Sequence, residues 1–248
     1  ATAFDSFERV TSQQRSGPGG SLSETLSYED KLGQWVLGQL KTLKAAGLTP
    51  LENRYDSQAR LVEVLKYGIS QGSSGYNSDG TLAWRADGAG RRTNFSSYRR
   101  GLPQGISYPD GGSESAAVNN LGLITSLTDA AGYTTGYGYD SAGRLASITP
   151  PGGWTPTTLA FERVSSAEYG IPAGHWRQTI SQGNARTIAY YDGFWRPLMT
   201  RAFDTTQEAS SRKVVVKGYD SAGQLAFESY PQRDASTVGI TSPGRRMT

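Results

Sequence analysis

One short pattern recurs along this chain and limits what it can fold into. The pattern is Tyr, then Asp or Asn, two free positions, Gly or Ala, one free position, and Leu. It is written as Tyr139-Asp140-Ser141-Ala142-Gly143-Arg144-Leu145 and again as Tyr219-Asp220-Ser221-Ala222-Gly223-Gln224-Leu225. Looser copies are Tyr55-Asp56-Ser57-Gln58-Ala59-Arg60-Leu61 and Tyr76-Asn77-Ser78-Asp79-Gly80-Thr81-Leu82. Asp-Ser-Ala-Gly reads as a tight hairpin loop, with two residues in the helical region and then Gly in the left-handed region closing a bulge. Gly takes that conformation without steric cost, and the Asp carboxylate can accept from the backbone amide two residues on.

Counting outward from the loop sets Tyr139 opposite Leu145 and Asp140 opposite Arg144. The same register pairs Tyr219 with Leu225, Tyr76 with Leu82 and Tyr55 with Leu61. Aromatic–aliphatic and opposite-charge pairs of this kind contribute roughly 0.2–1 kcal/mol each across antiparallel strands. Weaker copies at Asp87-Gly88-Ala89-Gly90, Asn119-Asn120-Leu121-Gly122 and Asp129-Ala130-Ala131-Gly132 keep the loop and drop the Tyr–Leu pair. Loops ten or eleven residues apart leave strands of about six residues, and connections this short cannot make parallel crossovers. The fold class that follows is all-β, a meander of short antiparallel strands. Gly at 31 of 248 residues fits a chain that turns this often.

The Tyr-Asp-x-x-Gly-Arg-Leu run at Tyr139–Leu145 resembles the signature of the YD-repeat, or Rhs-repeat, family. That family includes bacterial Rhs polymorphic toxins, B and C components of insecticidal toxin complexes, and animal teneurins. The passages Glu168–Arg177 and Tyr190–Leu198 are similar to Rhs proteins as well. The resemblance runs from Ala3-Phe4-Asp5 to the last residues. It implies a β-spiral forming part of a hollow shell that holds a C-terminal toxin or another segment. It also implies a secreted or cell-surface location. The family's self-cleaving element carries Asp-Pro-x-Gly-Leu, and this chain contains no Asp-Pro; that activity is expected to be missing.

Along the chain, Phe4-Asp5-Ser6-Phe7-Glu8-Arg9-Val10 reads as a degraded repeat with Glu8 where Gly belongs. Residues 13–23 read as a long polar hairpin tip or mobile loop. Leu32–Ala46 shows helical spacing of apolar residues, but Gly33, Gly38 and the repeat context favour two strands, Gln34–Leu40 and Leu48–Tyr55. Residues 154–187 are the least regular section, and 165–172 reads as a loop leaving the sheet plane. The tail from Pro231 is turn-rich. Leu145 and Ile148 have opposite parity within one strand, and Val214, Val215 and Val216 put apolar side chains on both faces. This calls for bulges or for partners on both sides of the sheet. We read residues 1–248 as a single repeat array and as an excerpt of a larger protein, with strand edges open to self-association.

Several function classes are disfavoured. The net charge of +3 is carried in isolated Arg pairs, so no nucleic-acid stripe exists. No apolar run is long enough for a membrane helix, and no signal peptide is visible. With no Cys and one His, a zinc ligand set is lacking. No phosphate cradle motif occurs, so no cofactor is expected. His175 lacks a nucleophile elbow. Asp56, Asp140, Asp192 and Asp220 share one loop position, which marks them as loop caps and not as a catalytic carboxylate pair. Trp35, Trp84, Trp154, Trp176 and Trp195 raise carbohydrate or cell-surface binding as the alternative reading. Against it, the repeat tyrosines are expected to pack across strands with the phenol at the wet edge. The expectation is a non-enzymatic structural module. Its partners are neighbouring repeats and an enclosed polypeptide.

Overall fold

A computed structural model describes residues 1–233 and 242–247 of the chain. The described residues contain twenty-one strands, one 3₁₀ turn at Leu32–Gln34 and one four-residue helix, α1 (Glu208–Ser211). The described residues form two compact units. The first comprises residues 1–122 and 129–132, and the second 123–128 and 133–248.

The first unit holds β1 (Thr2–Phe4), β2 (Val10–Gly17), β3 (Gly20–Lys31), β4 (Val36–Ala45), β5 (Leu48–Tyr55), β6 (Leu61–Lys66), β7 (Ile69–Tyr76), β8 (Leu82–Asp87), β9 (Arg92–Ser96), β10 (Gly105–Ser107) and β11 (Ser113–Val118). Each pairs antiparallel with its sequence neighbour. Residues 13–23 form a hairpin and not a loop, and the two strands favoured over 32–55 are present as β4 and β5, with β4 at Val36–Ala45 where Gln34–Leu40 was expected. Residues 13–23 are strand, apart from a tight turn at Pro18-Gly19, because β2 and β3 pair without a break from Ser12↔Thr25 to Gly17↔Gly20. The helical spacing of 32–46 produces only the 3₁₀ turn. From Val36 onward the ladder to β3 wins.

The second unit holds β12 (Ile124–Thr128), β13 (Thr134–Tyr139), β14 (Leu145–Thr149), β15 (Thr157–Arg163), β16 (Trp176–Gln182), β17 (Ala185–Tyr191), β18 (Pro197–Asp204), β19 (Lys213–Tyr219), β20 (Leu225–Ser229) and β21 (Gly244–Arg246). Neighbours are again antiparallel. The section that looked irregular contains long, well-paired strands. Besides 154–156, its irregularity lies in the excursion 164–175, whose neck is closed by Val164 N–H to His175 O (2.9 Å) and Gly174 N–H to Val164 O (2.7 Å). Of the tail from Pro231, residues 234–241 and 248 lie outside the described residues.

The parity puzzle has a register answer. Tyr139 pairs with Leu145 and Gly138 with Ser147, so Ala146 is skipped; Tyr137 then pairs with Ile148. This bulge carries Leu145 and Ile148 onto the same face. The skip recurs one residue past the Leu position in Phe4↔Val10, Tyr55↔Leu61, Tyr76↔Leu82, Tyr191↔Pro197 and Tyr219↔Leu225.

The second unit has one concentrated core. Tyr190, Met199, Val214, Val216 and Phe227 are buried together, and the register puts Tyr190, Met199 and Val216 in one row across three strands. Their cover is the excursion. A turn at Tyr169-Gly170, both at positive φ, delivers Ile171 into this cluster with 3% exposure. A sheet face covered locally by a loop explains why Val214 and Val216 are buried while Val215 is only half-buried.

Candidate functional site

The repeat unit is a hydrogen-bonded device built from three side chains, those of Tyr, Asp and Arg. In the copy at 139–145, Asp140 N–H donates to Arg144 O (2.9 Å) and Gly143 N–H donates to Asp140 O (3.0 Å), which closes the turn. Gly143 sits at φ 77°. The Asp140 carboxylate accepts from the amides of Ala142 and Arg144 through one oxygen, and from the Arg144 guanidinium through the other (2.7 Å). These three bonds hold the Asp140 pKa below the ordinary carboxylate range, the Arg144 amide first among them.

Asp56 repeats every part of this, with Gln58 and Arg60 as donors. Asn77 closes the same turn on Thr81, with Gly80 at φ 86° and Asp79 accepting from the Thr81 amide. Asp220 keeps the backbone part through Gln224, with Gly223 at φ 82°; Gln224 stands where the Asp56 and Asp140 copies have Arg. Glu8, Ala59 and Trp195 occupy the Gly position and adopt its left-handed conformation at φ 60°, 64° and 65°. The loop at Asp5 is therefore the same loop despite Glu8.

The tyrosines link one repeat to the next. Tyr139 Oη donates to Ile124 O (2.7 Å), Tyr76 to Leu61 O (2.8 Å), Tyr219 to Pro197 O (3.0 Å) and Tyr28 to Val10 O (2.9 Å). Each acceptor lies five residues after a loop Asx, namely Asn119, Asp56, Asp192 and Asp5 in turn. Tyr55 bonds Leu40 O at 3.0 Å, behind the interrupted repeat at 28–33. Backbone carbonyls hold the phenols, at a net gain of about 0.5–1.5 kcal/mol per bond.

Sequence reasoning missed the second function of the Arg at the free position. Arg60 lies over the Tyr76 ring (4.7 Å), Arg9 over Tyr28 (4.7 Å), Arg196 over Tyr219 (4.7 Å) and Arg144 over Phe161 (5.0 Å). Each guanidinium clasps its own Asp and covers the aromatic ring of the following repeat, a contact of about 0.5–1 kcal/mol at exposed sites. The recurrence of Arg at 9, 60, 144 and 196, always four residues after Asp, was the available signal.

The other candidates do not converge on a reaction centre. His175 is 5% exposed; its Nδ1 faces Pro172 O (2.9 Å) and its Nε2 faces Glu168 (3.3 Å), which Arg177 also holds. These contacts pin the neck of the 164–175 excursion. Among the described residues, no group of three His, Asp or Glu is placed to hold a metal ion. Of the five tryptophans, only Trp176 and Trp195 come together. They stack on each other and on Phe161, with ring centroids 5.1–5.2 Å apart. Trp35 and Trp154 stand exposed, and Trp84 lies under Arg92 at 4.3 Å.

These features define an antiparallel β-repeat protein whose repeated polar groups are used to join one hairpin to the next. Residues 119–155, which span the loops at Asn119, Asp129 and Asp140, match the family model described as RHS Repeat. That segment therefore carries an Rhs repeat. It is similar to the Membrane-associated protein TcaA of Staphylococcus aureus (strain Newman), at 27% identity over 105 residues. That match covers 41% of this chain and 23% of that protein. Its fold is similar to a crystal structure of TcdB2-TccC3-Cdc42 (TM-score 0.56, 11% identity, 92% of this chain, 15% of that chain). A crystal structure of TcdB2-TccC3-TEV is similar at TM-score 0.53 and 13% identity, over 92% of this chain and 15% of that chain. The chain thus spans about a quarter or less of the proteins it matches. Among the described residues no helix is long and apolar enough to cross a membrane, which says nothing about crossing by strands.

Proposed function

We propose that this chain is a wall segment of a YD-repeat shell, which encloses or displays another polypeptide of its parent protein and is exported with it. The observation that carries this reading is the use of the repeat's side chains. Asp, Arg and Tyr of each unit bond within the hairpin or to its neighbour, as Arg60 does with both Asp56 and the Tyr76 ring. Such groups strengthen a wall, and among the described residues no reactive groups converge, which supports reading the segment as structural and not as an enzyme. A structure of TcdB2-TccC3 without its hypervariable C-terminal region shares the fold at TM-score 0.50 and 11% identity. This supports the placement of the present wall beside a variable cargo segment. Enclosure is steric: a continuous ladder of backbone hydrogen bonds keeps proteases away from what lies behind it.

Limited proteolysis of the parent protein tests the proposal. The enclosed segment is expected to resist protease while the repeats are intact and to be cut once the 139–145 and 219–225 hairpins are destabilised together. Digestion of that segment at one rate in both proteins would overturn it.

A further inference from the structure

A small basic pocket in the second unit has no part in the repeat device. It has a volume of about 180 Å³ and is lined by Arg212, Lys213, Pro231, Gln232 and Arg233. Of the five described residues that line it, three are cationic and none is acidic. Val214 and Gln232 exchange both backbone hydrogen bonds across it, at 2.8 and 3.0 Å, so its two walls are fixed to each other. That antiparallel bridge sets Lys213 and Arg233 in adjacent facing positions, where like charges are destabilising.

The charge is poorly compensated. Among the described residues, the carboxylate that reaches this cluster is Glu208, which forms its closer ion pair with the buried Arg201 and reaches Arg212 only at 3.4 Å. Arg212 Nε is buried without a hydrogen-bond partner. Among the described residues, no carboxylate lies within ion-pair distance of Lys213 or Arg233. Arg233 Nη1 is turned to backbone carbonyls, those of Ser210 and Arg212. That anchors the guanidinium at the pocket but adds no formal negative charge.

From this arrangement we infer an anion-binding site for a tetrahedral oxyanion, a phosphate or sulfate group, held by Lys213, Arg212 and Arg233. Guanidinium and ammonium donors on a fixed backbone suit such a group, and charge-assisted bonds of this kind are roughly twice as strong as neutral ones. The anion also relieves the repulsion between Lys213 and Arg233. This gives the site a signature that a merely structural cluster lacks. Without oxyanion, removing a cation should leave the protein at least as stable as wild type.

The test is thermal unfolding of the 248-residue chain at fixed ionic strength, with inorganic phosphate replacing chloride, alongside Lys213→Ala, Lys213→Glu and Arg233→Gln. Wild type is expected to gain stability that saturates with phosphate. The gain should fall at least about fivefold in Lys213→Ala and vanish in Lys213→Glu, while Lys213→Ala in chloride melts at or above wild type. Co-sedimentation with phosphatidylglycerol vesicles, lost in the same variants, would support the site with a lipid headgroup as the source of the phosphate. Excluded salts stabilise proteins generally. An equal, unsaturating gain in wild type and all variants, with no vesicle binding, would therefore overturn the inference. Loss of stability in Lys213→Ala in chloride would overturn it too.

Discussion

The phenol of Tyr139 donates a hydrogen bond to the carbonyl oxygen of Ile124, fifteen residues earlier on the neighbouring strand β12. Tyr76 with Leu61 and Tyr219 with Pro197 make the same link. The tyrosine is therefore more than half of an apolar pair with Leu145, because its hydroxyl ties adjacent repeats. Tyr139→Phe keeps the ring and the packing on Leu145 while leaving the Ile124 carbonyl without that donor. The expected loss is about 0.5–1.5 kcal/mol, read as a lower urea midpoint with an unchanged slope. A midpoint equal to wild type would show that water replaces the phenol at no cost.

The left-handed position of the loop gives a prediction with opposite signs at two sites. Glu8 holds φ 60° with an exposed side chain, a conformation that costs an L-residue roughly 1–2 kcal/mol. Glu8→Gly is expected to stabilise the chain by part of that amount, reduced by the extra freedom of Gly in the unfolded state. Gly143→Ala is expected to destabilise it. An added Cβ there would meet only Leu123 Cδ1 at an ordinary 3.8 Å, so the backbone conformation alone sets the cost. Thermal melts of the two variants should move in opposite directions.

Particular residues show what the sequence made legible. The Asx–Gly spacing fixed the loops, and with them the register from Tyr55↔Leu61 to Tyr219↔Leu225, because a hairpin's register is set by its turn. The regular bulge after each Leu was visible only as the parity mismatch of Leu145 and Ile148. A pattern read within one strand cannot say which partner residue is skipped. Contacts between repeats, such as Arg60 over Tyr76, depend on how far each strand is staggered, which spacing within a repeat does not encode. The excursion 164–175 was recognisable as a departure from the repeat. That Ile171 would become core could not be read, since its burial depends on Tyr190, Met199 and Val214 arriving from three other strands.

Acid should weaken the wall through its loop aspartates. Burial pushes the Asp192 carboxyl up. The Arg196 amide, the Arg196 guanidinium and the Phe194 amide outweigh that push, leaving its pKa below the ordinary value. Asp56 follows the same order with Arg60 and Gln58. A carboxyl depressed in the folded state adds stability that is fully present above its unfolded pKa, about 3.9. That stability is lost as pH falls through the folded value. Stability is therefore expected to be level in this respect above about pH 5 and to fall below pH 4. Asp56→Asn with Asp192→Asn should flatten that fall while keeping the turns, as Asn77 keeps its own. Urea midpoints from pH 2.5 to 6 would measure it. A double variant as acid-sensitive as wild type would refute the assignment.

The excursion should behave as a separable plug. Its neck is tied by Val164 and Gly174, and its tip is held by Ile171 among Tyr190, Met199, Val214, Val216 and Phe227. Truncating a fully packed Ile removes its transfer energy and leaves a cavity, a loss of about 2–4 kcal/mol. Ile171→Ala is expected to lose that much in urea unfolding of the second unit. It should also be cut faster by chymotrypsin after Tyr169, because the side chain that seats the turn is gone while the neck remains closed. Trp154→Ala, at an exposed position, should stay within about 0.5 kcal/mol of wild type. If Ile171→Ala loses stability without faster cleavage at Tyr169, the loop is held by its neck and by the His175–Glu168 contact, and Ile171 is core without being the anchor.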